Sequence, residues 1–297
     1  KYVELFRQEA RVLEIMNHPG IPRIDLNGYF TYCPQDAKEP LHCIVMEKIE
    51  GLNLEEYLLK RGNRPISHKR ALRWLAELSL ILEQVHSLNF FHRDIKPSNI
   101  MLKANGCLVL IDFGTARQVS DSYIEKQSAG LITGVVSSGY TPIEQMRGKA
   151  VKQSDFYALG GTMIFLLTAS SPLEFYNSQK DKIEWSKAVD NISPEFASLI
   201  DSMISSFPIN RPKNAREIFQ EILKIDSSLH TVENYWKKAS NDPFFQGEAT
   251  NNVLVSTNNI IAAKLDSPKQ IKQQVSAEFV TRSRQELAEF IGPMASI

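Results

Sequence analysis

The stretch HRDIKPSN, His92–Asn99, concentrates charged and hydrogen-bonding side chains immediately after two aromatic residues. Asp94 is followed two residues later by Lys96 and three residues after that by Asn99. Together they offer one base, one cation and one ligand for a metal ion or for the backbone on a tight loop. Phosphoryl transfer requires such groups, because the charge around the phosphates must be neutralised and the incoming hydroxyl needs an acceptor for its proton.

The stretch lies between a predicted helix and a predicted hairpin. Before it, apolar residues recur at steps of four and three, which is the pattern of a long amphipathic helix: Ala71, Leu75, Leu78, Leu82 and Val85. After it, two short strand-like runs flank Asn105-Gly106, which is a strong hairpin signal. The second run leads directly into Asp112, so the hairpin is expected to bring this carboxylate back toward Asp94.

The first part of the chain predicts one helix and a pair of strands. The helix is expected to end at the NHPG stretch, residues 17–20, because apolar residues before it have helical spacing. Two short strands, 28–32 and 41–48, are expected to pair antiparallel. The apolar residues that define the helix are Leu5, Leu13 and Met16.

Two later stretches bear on function and on membrane insertion. Residues 115–138 predict a long surface loop, which compact domains seldom keep unless it is functional. The apolar run 158–167 is too short to cross a bilayer and predicts a buried core helix.

The composition excludes several classes of protein. With 34 basic and 34 acidic residues the formal net charge is +0, which argues against a nucleic-acid binder and against a protein of the membrane surface. The 3 cysteines are odd in number and lack CxxC spacing, so neither a disulfide framework nor a zinc site is expected. A reducing compartment fits best, and we expect a cytoplasmic protein without a signal peptide.

Five motifs in fixed order resemble the catalytic domain of protein kinases. They are HRDIKPSN (92–99), DFG (112–114), GYTPIEQ (139–145), SDFYALG (154–160) and NRP (210–212). The resemblance covers about Val3 to Leu223 and is similar above all to bacterial Ser/Thr kinases of cyanobacterial type. It implies an α+β, bilobal fold with an incomplete, small, β-rich N-lobe and a mostly helical C-lobe.

The resemblance assigns a role to each polar residue of the loop. Asp94 would be the catalytic base, and Lys96 would steady the transferred phosphate and favour Ser/Thr over Tyr as acceptor in a protein substrate. Asn99 and Asp112 would hold Mg²⁺, so ATP and Mg²⁺ are the implied cofactors.

The nucleotide site is expected to include the end of the second predicted strand. Met46 would lie at the back of the pocket, and the backbone of residues 47–49 would form the hinge that meets the adenine. The implied nucleotide-binding residues are Glu9, Met46, Glu47, Ile49, Lys96, Asn99 and Asp112.

Other motif residues are implied to be structural. His92 and Phe113 would pack internally, Arg93 would face the activation loop, and Asp155 would brace the backbone of the catalytic loop. Glu144 and Arg211 are also implied to form a buried ion pair.

The activation segment keeps a hydroxyl near the base. Ser137 stands where these kinases usually have the threonine that contacts the base and the lysine. Four residues of the loop are candidate phosphorylation sites that could pair with Arg93: Ser120, Ser122, Ser128 and Thr133.

Glu9 has no obvious cation in the sequence. It lies on the buried stripe of the first helix, where an unpaired charge is costly. In kinases this glutamate pairs with a strand lysine that follows a glycine-rich loop, and the chain contains neither. We therefore expect a fragment that lacks the first strands; the alternatives are a pseudokinase that acts as a binding or scaffold module, and a small-molecule kinase on the same fold.

Four regions follow from these assignments. Residues 1–50 would be the partial N-lobe, 51–226 the C-lobe, 227–266 a linker or extension, and 267–297 the start of a helical accessory region with a helix over 271–291.

Overall fold

The computed structural model describes residues 2–33, 40–118 and 137–240. The first helix, α1 (Tyr2–Ile15), ends directly before the NHPG stretch, as expected. Strands β1 (Ile24–Tyr32) and β2 (Leu41–Met46) follow and pair antiparallel, which confirms the predicted pair.

The hairpin predicted after the catalytic loop is present. The strands of this region are β3 (Gly51–Asn53), β4 (Phe90–Phe91), β5 (Ile100–Lys103), β6 (Leu108–Leu110) and β7 (Arg117–Gln118). β3, β5 and β6 form one antiparallel sheet in the order β3-β5-β6, and Gly106 adopts a φ of +84° in the turn between β5 and β6. β4 pairs with β7, so the chain directly before the catalytic loop is joined to the chain after Asp112.

Helices make up most of the larger part of the fold. They are α2 (Leu54–Lys60), α3 (His68–Ser87), α4 (Ile143–Met146), α5 (Lys152–Thr168), α6 (Pro194–Met203) and α7 (Ala215–Ile225). A short antiparallel pair, β8 (Tyr176–Asn177) and β9 (Lys182–Ile183), lies between α5 and α6 in the sequence. All five apolar residues that predicted α3 are buried. The small antiparallel sheets, together with the mostly helical region after β3, confirm the α+β architecture.

Helix α5 runs through the core because nearly every face of it is apolar. Two glycines let its neighbours approach closely. A Cβ on Gly160 would lie 2.6 Å from Ile204 Cγ2, and one on Gly161 would lie 2.9 Å from the Gly139 carbonyl oxygen. The expected buried core helix at 158–167 is thereby confirmed, and none of the described helices is long and apolar enough to cross a membrane.

The segment after α7 is the start of the region 227–266, which the sequence predicted to be a linker or extension. A short 3₁₀ turn, Ser227–Leu229, leads into helix α8 (His230–Ser240), which packs against α3. Leu229, Val232 and Trp236 are buried because they share one face at steps of three and four. Their regular spacing lies within a polar, turn-rich composition, which is why the sequence predicted a linker. The predicted helix 271–291 and the rest of the region after Ser240 lie outside the described residues.

Candidate active site

Asp155 of α5 holds the backbone of the catalytic loop, residues 92–99. Its Oδ2 accepts a hydrogen bond from the His92 N–H (2.9 Å), and its Oδ1 accepts one from the Arg93 N–H (2.8 Å). Burial would raise the pKa of Asp155, but hydrogen bonds, foremost that with His86 Nε2 (2.8 Å), hold it below its ordinary value. The bracing role expected for Asp155 is confirmed by these contacts. Arg93 is held in a left-handed conformation, φ 71°, directly before Asp94.

The Asp94 carboxylate accepts hydrogen bonds from three side chains. Lys96 Nζ (2.8 Å) and Asn99 Nδ2 (3.0 Å) donate to Oδ2, and the Ser137 hydroxyl (2.7 Å) donates to Oδ1. Burial works to raise the pKa of Asp94, but the hydrogen bonds from Lys96 and Ser137 and the Lys96 charge hold it below its ordinary value. The carboxylate is therefore ionised and oriented at neutral pH. Of the two contacts predicted for Ser137, the structure gives the one with Asp94.

Asn99 and Asp112 are the two residues that the sequence predicted to hold Mg²⁺. Asn99 Nδ2 also donates to the Asp94 carbonyl oxygen (2.8 Å), and this fixes the amide so that its Oδ1 accepts no hydrogen bond from the described residues. Asp112 is exposed and adopts a left-handed conformation, φ 66°, at the end of the hairpin. No cluster of three or more His, Cys, Asp and Glu residues suited to a metal occurs in the described part of the chain. Two oxygens fit Mg²⁺, which usually takes its other ligands from phosphates and water.

Glu9 lies against the DFG segment. Burial and the neighbouring Asp112 charge raise the pKa of Glu9, while a hydrogen bond from the Phe113 N–H opposes this. Within residues 2–33, 40–118 and 137–240, Glu9 forms no ion pair. Its carboxylate is thus near the expected metal ligand, and the cation that the sequence called for is absent from the described residues.

His92 and Phe113 form the internal contact expected of them. Both side chains are fully buried, and their rings meet edge to face at 4.7 Å. Burial lowers the pKa of His92, so the imidazole is neutral, and its Nε2 lies 3.1 Å from the Ile111 carbonyl oxygen. This pair connects the catalytic loop to the segment that carries Asp112.

The expected hinge lies between β2 and β3. Met46 ends β2 opposite Ile24 and is 39% exposed. The Glu47 N–H donates to the Arg23 carbonyl oxygen (2.8 Å), and the Glu47 carboxylate lies 3.4 Å from Lys103 Nζ. Ile49 follows Glu47 in the same connecting segment, so these residues lie together.

The segment after the activation loop is anchored by the expected ion pair. Arg211 donates to the two carboxylate oxygens of Glu144 at 2.6 and 3.2 Å, and it also donates to the carbonyl oxygens of Gln153, Ser205 and Ser206. The Arg211 side chain is fully buried. This network confirms the predicted pair and fixes the short helix α4.

Two contacts of the loop were not predicted from the sequence. The Gln145 side chain donates to the Arg93 carbonyl oxygen (2.6 Å), and His86 contacts Asp155 as described above. His86 falls on the buried stripe of α3, and Gln145 directly follows Glu144 in a motif, but nothing in their spacing identifies their partners.

The Arg93 guanidinium is buried, and its Nε and Nη2 have no hydrogen-bond partner among the described residues. The activation-loop residues expected to face it lie outside that part of the structure, namely Ser120, Ser122, Ser128 and Thr133.

Comparison with known proteins identifies the family of the chain. Residues 1–224 match the family model described as the protein kinase domain. The chain is 34% identical over 226 residues to serine/threonine-protein kinase B of Synechocystis sp., covering 74% of this chain and 38% of that protein.

Two further relatives have similar coverage. Serine/threonine-protein kinase PknA of Nostoc sp. is 36% identical over 222 residues, covering 74% of this chain and 38% of that protein. Serine/threonine-protein kinase PknB of Mycolicibacterium smegmatis is 28% identical over 229 residues, covering 74% and 35%. The chain spans less than half the length of these relatives.

Proposed function

The chain belongs to the protein kinase domain family, and from this premise we propose that the protein transfers the γ-phosphoryl group of ATP to serine or threonine side chains of protein substrates. The arrangement around Asp94 supports this function most directly. An ionised carboxylate, oriented by three donors, is suited to accept the proton of an attacking hydroxyl.

The residues around Asp94 would have different roles in the transfer. As the substrate oxygen bonds to the γ-phosphorus, the bond to the β-phosphate oxygen breaks, ADP leaves, and the hydroxyl proton passes to Asp94. Lys96, which already contacts Asp94 at 2.8 Å, would neutralise charge on the transferred group. Asn99 and Asp112 would hold Mg²⁺, which supplies charge neutralisation at the phosphates.

The nucleotide would lie between the hinge and the hairpin. We assign its contacts to Glu9, Met46, Glu47, Ile49, Lys96, Asn99 and Asp112. Glu9 and Asp112 meet at the DFG segment, and Glu47 is fixed by Arg23 and Lys103, which supports a shared pocket.

A protein substrate is supported by the segment that follows the activation loop. Gln145 and the Glu144–Arg211 pair hold this segment against the catalytic loop, so a peptide hydroxyl can be presented beside Asp94. The relatives named above are all serine/threonine-protein kinases by name. We also propose a cytoplasmic location, because the described cysteines Cys33, Cys43 and Cys107 are free thiols.

The experiment is to incubate the full-length protein with Mg²⁺ and γ-labelled ATP, together with an unfolded protein rich in Ser, Thr and Tyr. Label on Ser and Thr, absent when Mg²⁺ is chelated, is expected. Parallel reactions offer small alcohols as acceptors. Label confined to small alcohols would contradict the choice of substrate, and absence of any transfer together with absence of ATP binding would favour a scaffold role.

A further inference from the structure

A strongly basic surface, made of residues to which no catalytic role is assigned, lies on the α2–α3 region. Residues 60–73 contain six lysines and arginines and no aspartate or glutamate, in a chain whose net charge is +0. All six are exposed or half-exposed: Lys60, Arg61, Arg64, Lys69, Arg70 and Arg73. We call this set the basic surface. Such a local excess is unusual in a chain with balanced charge, and it favours an anionic partner.

Most of these cations lack a carboxylate partner in the part of the chain that the structure describes. Arg73 pairs with Glu77 at 3.1 Å. Lys60, Arg61, Arg64 and Arg70 form no ion pair with any described residue. The acidic residues of α2 stand at its first turn, where the Glu56 carboxylate accepts a hydrogen bond from the Asn53 N–H.

Two of the unpaired arginines converge on one neutral oxygen. Arg61 Nη1 donates to the Tyr57 hydroxyl oxygen at 2.6 Å, and Arg70 Nη1 donates to the same atom. Both guanidinium groups also lie over the Tyr57 ring, with Cζ atoms 5.2 and 6.0 Å from its centre. The fold thus holds two like charges beside one another, and an anion placed between them would relieve their repulsion and use their remaining donors.

An apolar cavity adjoins this pair of arginines. It has a volume of about 430 Å³ and is lined by Leu52, Tyr57, Leu102 and Ala104, among others. The charged side chains of its lining are paired, Glu50 with Lys48 at 2.8 Å and Lys103 with Glu47 at 3.4 Å. Tyr57 is shared, since it lines the cavity and its hydroxyl accepts from both arginines.

We propose that the basic surface and the cavity form a docking site for an acidic segment of a partner protein, with carboxylates on Arg61 and Arg70 and an adjacent apolar side chain in the cavity. A peptide matches both halves, because it can carry acidic and apolar groups a few ångströms apart. This site is separate from Asp94 and its donors, and its occupancy can be measured whether or not the protein transfers phosphate.

The test is fluorescence anisotropy of the full-length protein with a fluorescein-labelled hexaglutamate peptide that ends in two leucines. The double variant Arg61→Ala/Arg70→Ala is expected to weaken binding about tenfold or more, since charged hydrogen bonds are lost. The matched control is Lys187→Ala/Lys213→Ala, which removes two exposed cations elsewhere and should leave the affinity unchanged.

The apolar half of the site has its own variant. Ala104→Trp would fill the cavity without changing charge, and it should weaken the peptide with leucines while leaving plain hexaglutamate unaffected. Circular dichroism and the thermal midpoint establish that each variant is folded.

Two results would overturn the proposal. One is equal affinity of the wild-type protein for the acidic peptide and for a hexalysine peptide of the same design. The other is binding of duplex DNA or of phosphatidylserine vesicles that the arginine double variant abolishes, with peptide binding unaffected.

Discussion

At the scale of single residues, burial and hydrogen bonding have opposite effects on the pKa of Asp94. Burial disfavours its charge, and Lys96, Ser137 and Asn99 stabilise that charge. Because the pKa lies below the ordinary value, Asp94 remains ionised across the neutral range. The role as a base that we propose for Asp94 therefore depends on orientation, with the proton passing to it late, as the new bond forms.

Removing the Ser137 hydroxyl should move the pH dependence of transfer. Ser137→Ala takes away one donor that lowers the Asp94 pKa, so the acidic limb of the kcat/KM profile should shift to higher pH. The maximal rate should fall about tenfold, as for loss of one hydrogen bond to a charged group. Ser137→Thr keeps the hydroxyl and is the control. An unchanged profile in the alanine variant would show that this hydrogen bond does not act on Asp94.

The raised pKa of Glu9 predicts how the free energy of unfolding of the chain of residues 1–297 depends on pH. Burial raises its pKa above that of the unfolded chain, so its contribution is present below the unfolded value near 4.5 and is lost as pH rises through the folded pKa. Glu9→Gln should therefore increase the free energy of unfolding at pH 7, and the difference should vanish toward pH 4.5, measured by urea denaturation.

Glu4→Gln, at an exposed position of the same helix, is the control and should show no such difference. A Glu9→Gln variant that is less stable at pH 7 would mean that a cation pairs with this carboxylate.

At the scale of secondary-structure elements, α8 connects three parts of the fold although it lies beyond the family match at residue 224. Trp236 packs on the His18 ring at 5.0 Å, in the loop after α1. Tyr235 is hydrogen-bonded to Cys107, directly before β6. Glu233 accepts from Arg216, which also pairs with Glu83 of α3. The helix thus contacts the loop that follows α1, the helix of Glu9, and it contacts the hairpin that leads to Asp112.

Truncating Trp236 should destabilise the domain strongly. The side chain is 4% exposed, and Trp→Ala changes at buried sites typically cost about 3–5 kcal/mol. Asn234→Ala, on the exposed face of α8, should change the free energy of unfolding by less than about 0.5 kcal/mol. Urea denaturation decides, and equal stability of the two variants would show that α8 does not pack on the domain.

The imidazole of His18 reports on the same contact. Burial lowers the pKa of His18 to about 4. Its contribution to stability is therefore present above the unfolded value near 6.5 and is lost as pH falls toward 4. In Trp236→Ala, NMR titration should show this pKa moving up toward 6.5. A wild-type value already near 6.5 would contradict the burial of His18 beneath α8.

At the scale of the whole molecule, local signals predicted the elements, and tertiary contacts decided the rest. The Asn105-Gly106 turn and the regular apolar spacing of α3 are short-range features, so the hairpin and the long helix were predictable. The contact of His86 with Asp155 joins residues 69 positions apart, and such pairs leave no local pattern. α8 was missed because three apolar residues in a polar segment are a weak signal until α3 provides a surface for them.

The contacts of Asp155 and Arg211 were predictable only because five motifs occur in order, and the contact of Ser137 with Asp94 only because of the resemblance to kinase activation segments. Composition and periodicity alone would have identified the functional groups of the loop, but they would not have identified the residues that contact the loop. The structure shows why the motifs are spread over the chain. Asp155 and Gln145 reach the loop from different helices and fix its backbone from two sides.

The most direct measurement is the rate of γ-phosphoryl transfer by the full-length protein beside its Asp94→Asn variant, with Mg-ATP affinity determined for both. We expect the variant to bind Mg-ATP nearly as well and to lose a factor of about 10² to 10⁴ in rate, as for removal of a general base. Asp190→Asn, at an exposed position, is the control and should retain the full rate. Equal rates for wild type and Asp94→Asn would contradict the assignment of Asp94 as the base.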